Sequence, residues 1–433
     1  MSGEKAEFHL NSLILKYMNG VKSLDLATNY YNKGNLAQAD LLCRAYLENN
    51  PNDSTAYTLL GNIADRIGLT AIAIKHFKKS LSLNPADENA QRNINLLQDH
   101  VSATAAATEA DINIRHNIYL LIKSWGYGFW SDIDHILGQL LICEITGRIP
   151  IIHWGANSLF ADICSENAFD LYFEPVSEFT IHDLLKSADS FFPPKWNEQN
   201  LLKEDINKWE GRYSKTSGIL SLNRKEAVIV SDFHTQLDSI VPWIQEDSEL
   251  YGIESKELYR KLYNKYIHLK PSASKKIESF WVSRMEGCRW IAVHVRGTDK
   301  EKEVKDLAGI NREYFKHLEQ ILKLDPEMKL FLLTDSSNVI DEYVQKYGSK
   351  VLFTESLRNS DSTGVHYSGH PGRKVAEEVI VDTYLAAKCD YFLGNGGSNV
   401  STTIEHLKEW GQDRYRLIGE NRLFKKNFFL HDR

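Results

Sequence analysis

The apolar run Ile291-Ala292-Val293-His294-Val295-Arg296 leads straight into Gly297-Thr298-Asp299-Lys300. Side chains alternate along an extended strand, so His294 and Arg296 share one face at its carboxyl end. An arginine there suits a diphosphate, because its planar fork grips two oxygens and stabilises charge on a departing group. His294 would pack against or hydrogen-bond a base or phosphate. The competing reading is an Arg296–Asp299 ion pair that braces the loop. Further on, Asn395-Gly396-Gly397-Ser398-Asn399-Val400-Ser401 follows an apolar strand and opens a helix. Glycines let backbone N–H groups approach an anion, and the helix start adds a favourable dipole. Ser398 and Asn399 are also natural N-caps, which explains the serine but not both glycines. Gly126-Tyr127-Gly128 is a weaker signal of the same kind, and alone it means a tight turn.

Three carboxylate positions add to this set. Asp382 sits among Val379, Ile380, Val381, Tyr384 and Leu385 in a helical pattern, an awkward place for a charge unless something satisfies it. The N1/N2 donor edge of a guanine base would do so, and an ordinary exposed helix position is the alternative. Asp335 ends the run Phe331-Leu332-Leu333-Thr334, where it either lines a cleft or N-caps the next helix. Asp132-Ile133-Asp134 has the D-x-D form of some metal sites, but it lies early in a predicted helix, where acidic residues are favoured by the dipole. No metal is expected there.

The elements that must position these residues alternate short apolar runs with amphipathic helices from residue 112 onward, which is βαβ rhythm. Strands are predicted over 117–123, 149–154, 289–295, 329–334, 350–354, 391–393 and 414–418. Helices are predicted over 131–147, 312–324, 337–347, 373–388 and 398–410, with helical residues 255–286 bridging two halves. The halves are read as Rossmann-like, over 112–275 and 276–433, and two such open sheets leave a cleft at their strands' carboxyl ends. Ahead of them, residues 20–53 set above 54–87 show a 34-residue self-similarity, with Leu26/Leu60, Ala27/Gly61, Gly34/Gly68, Ala39/Ala73 and Pro51/Pro85 in register. That is the tetratricopeptide repeat (TPR) period. Residues 1–101 are therefore read as an all-α repeat segment, capped by 87–99 and by 5–18, with 101–110 as a linker or loose helix. It is either a docking surface for a protein or peptide, or a packing module.

Composition excludes several classes. The chain has 433 residues, 42% of them apolar, and a net charge of −7, with no Lys/Arg run of the kind that coats nucleic acid. No stretch approaches eighteen uninterrupted apolar residues and the start lacks a signal-peptide pattern, so a cytoplasmic protein without integral membrane contact is expected. The five cysteines are far apart and never in a C-x-x-C pair, so they are expected to be reduced and buried.

Together these segments resemble the GDP-fucose-dependent fucosyltransferases, above all the core α1,6 and nodulation enzymes, with the protein O-fucosyltransferases more distant. The likeness spans roughly residues 115–420. His294 to Lys300 is similar to that family's first motif, which normally has a second arginine where this chain has Gly297. Leu333-Thr334-Asp335 is similar to the second motif. Val379 to Asp382, Cys389 to Tyr391 and Ser398 to Val400 are similar to the third, and Gly126-Tyr127-Gly128 and 173–178 also fit. The resemblance implies a GT-B fold and an inverting, metal-independent transfer of fucose or a similar sugar from GDP to a glycan or polypeptide hydroxyl, with no cofactor. It implies that His294, Val379 and Asp382 lie at the guanine, and that Arg296, Gly126 and Ser398 hold the diphosphate, with Tyr127, Gly128, Asp335, Gly397 and Asn399 lining the donor site. The expected acid after Lys300 falls on Val304, so base catalysis rests on Glu303, Glu301 or Asp299 with Lys300 as helper. Another donor nucleotide, or an inactive scaffold that works through its repeats, is the alternative.

Overall fold

A computed structural model describes residues 21–105, 118–124, 126–156, 158–203, 218–231, 234–297, 307–360, 365, 369–411 and 413–419. The first helices come in pairs: α1 (Val21–Asn32) with α2 (Leu36–Leu47), and α3 (Ser54–Ile67) with α4 (Thr70–Leu83), followed by α5 (Glu88–Ala105). The register-matched Gly34 and Gly68 both take positive φ, 77° and 86°, where each chain turns between helices. Asp53 opens α3 by accepting from the N–H groups of Thr55 and Ala56. A Cβ on Gly61 would lie 2.5 Å from the Phe77 ring, so the small residue sets how closely α3 and α4 approach. The 34-residue period thus marks two helical hairpins. Helix α5 runs on through Ala105, so the chain after Val101 starts as helix rather than linker. The cap expected over 5–18 lies outside the described residues.

The first sheet contains β1 (Tyr119–Lys123), β2 (Ile149–His153), β3 (Phe191–Phe192) and β4 (Val228–Ser231), all parallel in the order β2-β1-β4-β3. Helix α6 (Phe129–Thr146) crosses from β1 to β2, and α7 (Ile181–Ser187) precedes β3. Strand β4, buried beside β1, was not anticipated, although Val228-Ile229-Val230 carries the unbroken apolar run that a parallel strand requires. Helices α8 (Ser255–Tyr266) and α9 (Pro271–Phe280) then lead to the second sheet, and α8 packs against both α6 and the helix after β8.

The second sheet is also parallel: β5 (Trp290–His294), β6 (Lys329–Leu333), β7 (Val351–Leu352), β8 (Tyr391–Asn395) and β9 (Tyr415–Ile418), in the order β7-β6-β5-β8-β9. Helices α10 (Leu307–Leu324), α11 (Ser337–Tyr347), α12 (Gly372–Lys388) and α13 (Asn399–His406) connect it. Ile291, Val293 and Val295 pack with Tyr314, Leu318 and Tyr343 of α10 and α11. Trp290 and Ala292, on the opposite face, pack with Leu385, Ala386 and Ile404 of α12 and α13. Helices therefore cover both faces of an α/β sheet, which directs ligands to the rim where the strands end.

One apolar core joins the hairpins, the first sheet, and Ala376 and Ile380 of α12. The hairpins are not tethered at a distance: Asn223 donates to the Gly68 carbonyl at 3.1 Å, and Arg44 lies over the Trp243 ring at 5.3 Å. Cys43, Cys143 and Cys389 are buried as expected, but Cys164 is exposed and Cys288 half-buried. No helix among the described residues is long and apolar enough to cross a membrane.

Candidate nucleotide-binding site

Strands β5 and β8 are neighbours, so the chain leaves both at the same rim of one sheet. Arg296 follows β5 by two residues and Ser398 follows β8 by three. Asp335, just past the end of β6, braces the first of them. Its Oδ2 pairs with Arg296 Nη1 at 2.7 Å, while its Oδ1 accepts the Gly297 N–H at 3.0 Å. Asp335 thus braces Arg296, and Asp299, the partner read from sequence, lies outside the described residues. Nor does Asp335 cap α11, since Ser336 holds the N-cap position. The pair with Asp335 fixes where the planar guanidinium stands at this rim.

Gly297 has a steric reason. A Cβ there would sit 2.6 Å from Ser336 Cβ and 3.1 Å from Val339 Cγ2. The second arginine of the family motif therefore has no room while α11 starts where it does. Lys300, Glu301 and Glu303 lie outside the described residues, as does Thr298.

At the neighbouring strand end, Ser398 takes the N-cap position of α13 without a capping bond from its side chain. The first N–H groups of the helix have no intrahelical partner, and an anion would meet them. Before them, Asn395 accepts the Gly397 N–H on its Oδ1 at 2.8 Å, and its Nδ2 meets no partner among the described residues. Asn399 begins the helix. His294 turns toward this helix: its Nδ1 lies 2.7 Å from Ser401 Oγ, which also accepts the Asn395 N–H at 2.9 Å. Burial, and then the charge of Arg296, push the His294 imidazole down to about 3, so the ring is neutral. His294 thus packs the strand end against α13 and stands two residues from Arg296.

Asp382 is buried, which removes the exposed-helix reading. Its carboxylate is held by the chain itself: Thr354 Oγ1 donates to Oδ1 at 2.6 Å and Ser356 Oγ donates to Oδ2 at 3.0 Å. Burial raises the carboxyl to about 6, opposed by those hydroxyls and by the nearby Arg358. The Val379 carbonyl accepts from Thr383 Oγ1 at 2.6 Å, and that hydroxyl accepts from Trp130 Nε1 at 3.0 Å. Trp130 stands in the first turn of α6, directly after Gly126-Tyr127-Gly128, so the glycine turn of the first sheet meets the helix of Asp382. Arg373 near the start of α12 adds a second link, to Asp162 at 2.8 Å.

The glycine turn itself is closed by Asp132. Gly126 has φ of 87°, and the N–H groups of Gly126 and Tyr127 donate to Asp132 Oδ1 at 3.1 and 3.4 Å. The amides that would cradle a phosphate are engaged by this carboxylate, and a diphosphate reaching them would have to displace it. Gly128 serves as the N-cap of α6 and Tyr127 is exposed. Asp134 points elsewhere, accepting from Tyr259 OH at 2.9 Å, so the D-x-D pair is divided between two structural tasks.

Sequence reasoning missed Thr354 and Ser356, and it took in Asn395 and Ser401 only as the ends of the glycine-led run. The one local signal for the first two was a pair of hydroxyl residues soon after a short strand of a parallel sheet. A cavity of 570 Å³ lies between α4 and residues 241–253, and none of the residues above line it.

No family model matches the sequence, and no curated protein matches it. Among solved structures, the fucosyltransferase NodZ from Bradyrhizobium is 19% identical over 67% of this chain and 92% of its own, with a TM-score of 0.46. FUT1 from Arabidopsis thaliana, in complex with GDP, is 10% identical over 73% and 76%, at 0.44. POFUT1 in complex with GDP is 13% identical over 70% and 99%, at 0.41.

Proposed function

We propose that this chain is a glycosyltransferase that moves a sugar, fucose or a close deoxyhexose, from its GDP form to a hydroxyl of a glycan or polypeptide. The observation that carries this reading is an arginine braced by Asp335 beside a glycine-led helix start, both at one rim of a doubly covered parallel sheet. As the bond from the anomeric carbon to the diphosphate breaks, charge builds on the departing oxygens. Arg296 and the first amides of α13 would meet it there, and preorganised donors favour the transition state over the ground state. Asp382 would accept from the guanine edge, with His294 and Val379 alongside. One displacement by the acceptor oxygen inverts the anomeric carbon. Its proton passes to Glu303, Glu301 or Asp299, with Lys300 as helper and no metal.

In this reading residues 112–275 form the acceptor half and 276–433 the donor half of a GT-B arrangement, and 1–101 is a TPR segment. Because the hairpins share a core with the first sheet, their role is to build the acceptor side or to seat a protein partner beside it. Calorimetry with GDP tests the reading. Micromolar-range affinity is expected, and Arg296→Ala should weaken it by roughly 10- to 150-fold, as for a lost charge-assisted hydrogen bond. Absence of GDP binding to the intact chain refutes the proposal. Turnover of GDP-fucose against GDP-mannose and UDP-sugars then assigns the donor.

A further inference from the structure

At the ends of β5 and β8 the described residues give a diphosphate little net charge to meet. Arg296 is paired with the Asp335 carboxylate at 2.7 Å, so their formal charges offset one another. His294 is neutral, and the first N–H groups of α13 supply partial charge only. The segment that follows Arg296 does not make up the difference, because 298–306 holds three lysines and four acids.

The chain returns to this rim at the end of β9. In the order β5-β8-β9, the glycine loop after β8 lies between the ends of the other two strands. Ile418 stands opposite Asn395 in register, and its carbonyl accepts the Gly396 N–H at 2.8 Å. Asn395 is buried, and its Nδ2 meets no partner among the described residues. A buried donor of this kind calls for an acceptor from outside the chain. Gly419 then turns the chain with φ of 83°. Residues 420–433, which lie outside the described residues, hold four cations, Arg422, Lys425, Lys426 and Arg433, against two acids, in a chain whose net charge is −7. Chain length alone limits how far they stand from the loop. Arg422 is three residues past Gly419, at most about 10 Å, and Ser398 is two residues past Gly396, at most about 7 Å.

We propose that Arg422, with Lys425 and Lys426 behind it, meets the diphosphate from the β9 side and supplies the positive charge that Asp335 offsets on Arg296. This rests on the nucleotide-sugar reading above. An arginine fork takes two phosphate oxygens at once, whereas the lysines act as point charges. A second arginine has no room at Gly297, where even a Cβ would meet Ser336. The strand on the other side of the glycine loop leads to one. Charge on the diphosphate grows as the sugar leaves, so the same cations favour the transition state.

Calorimetry on the full chain, with GDP against guanosine, tests this, since guanosine has the same base and ribose and no phosphate. Arg422→Gln combined with Lys425→Gln and Lys426→Gln should weaken GDP by roughly 10-fold or more, as for a lost charge-assisted hydrogen bond, and leave guanosine unchanged. Added salt should weaken GDP binding more in the wild-type chain than in this variant, because the lost attraction is the part that salt screens. Arg422→Lys should recover part of the affinity, and Arg422→Gln alone covers the case where the triple variant does not fold. A folded variant whose GDP-to-guanosine ratio matches the wild type overturns the inference while the donor reading stands. Equal weakening of both ligands overturns it too, since that is the effect of a segment that only packs. Failure of the wild-type chain to bind GDP overturns both.

Discussion

Replacing Gly297 by alanine probes the joint between the arginine and its brace. Its backbone is not in the left-handed region, so the effect is steric rather than conformational. The new methyl would lie 2.6 Å from Ser336 Cβ. Carbon atoms pack best at about 3.5–4.0 Å, so the start of α11 must retreat by about 1 Å. Overpacking of this kind costs about 1–3 kcal/mol. The retreat carries Asp335 with it, because Asp335 directly precedes Ser336 and holds both Arg296 and the Gly297 N–H. Urea unfolding should show the lost stability, and GDP calorimetry should show weakened binding. In a Ser336→Gly background the nearest clash is gone and Val339 Cγ2 at 3.1 Å remains, so the penalty should fall below about 1 kcal/mol. Additive effects of Gly297→Ala and Ser336→Gly, with GDP affinity untouched, would refute the reasoning. Gly297→Arg should likewise lower affinity, and a gain in affinity would show that a second arginine does fit.

Two further expectations concern glycines that hold the frame. Gly126→Ala forces a side chain into φ of 87°, which costs about 1–2 kcal/mol and loosens the turn that Asp132 holds, as a melting curve would register. Gly61→Ala places a methyl 2.5 Å from the Phe77 ring and should lower stability by about 1–3 kcal/mol, measured by the same unfolding assay. Because the hairpins share a core with the first sheet, that loss should appear in a single transition for the whole chain rather than in a separate early one.

The strands that place Arg296 and Asp335 were legible because a parallel strand buried on both faces is an unbroken apolar run, and the polar residue that ends it stands out. The helix of Asp382 was legible for the converse reason, a carboxylate set among apolar neighbours. What satisfies that carboxylate was not, since Thr354 and Ser356 stand 28 and 26 positions away and only the packing of the segment after β7 brings them near. The partner of the glycine turn was hidden for a related reason. Asp132, read as half of a metal motif or a helix-start acid, closes the turn five and six positions before it. Strand β4 was missed although Val228-Ile229-Val230 carried the signal. The seating of the hairpins on Asn223 and Trp243 left no mark at all, because a contact between distant segments has no periodicity.

The crystal structure of the chain with GDP is the direct measurement. The base should lie with its N1 and N2 within hydrogen-bond distance of Asp382, and the diphosphate should lie between Arg296 and the first turn of α13. A nucleotide seated elsewhere, such as the cavity beside residues 241–253, or none bound at saturating concentration, would contradict the account.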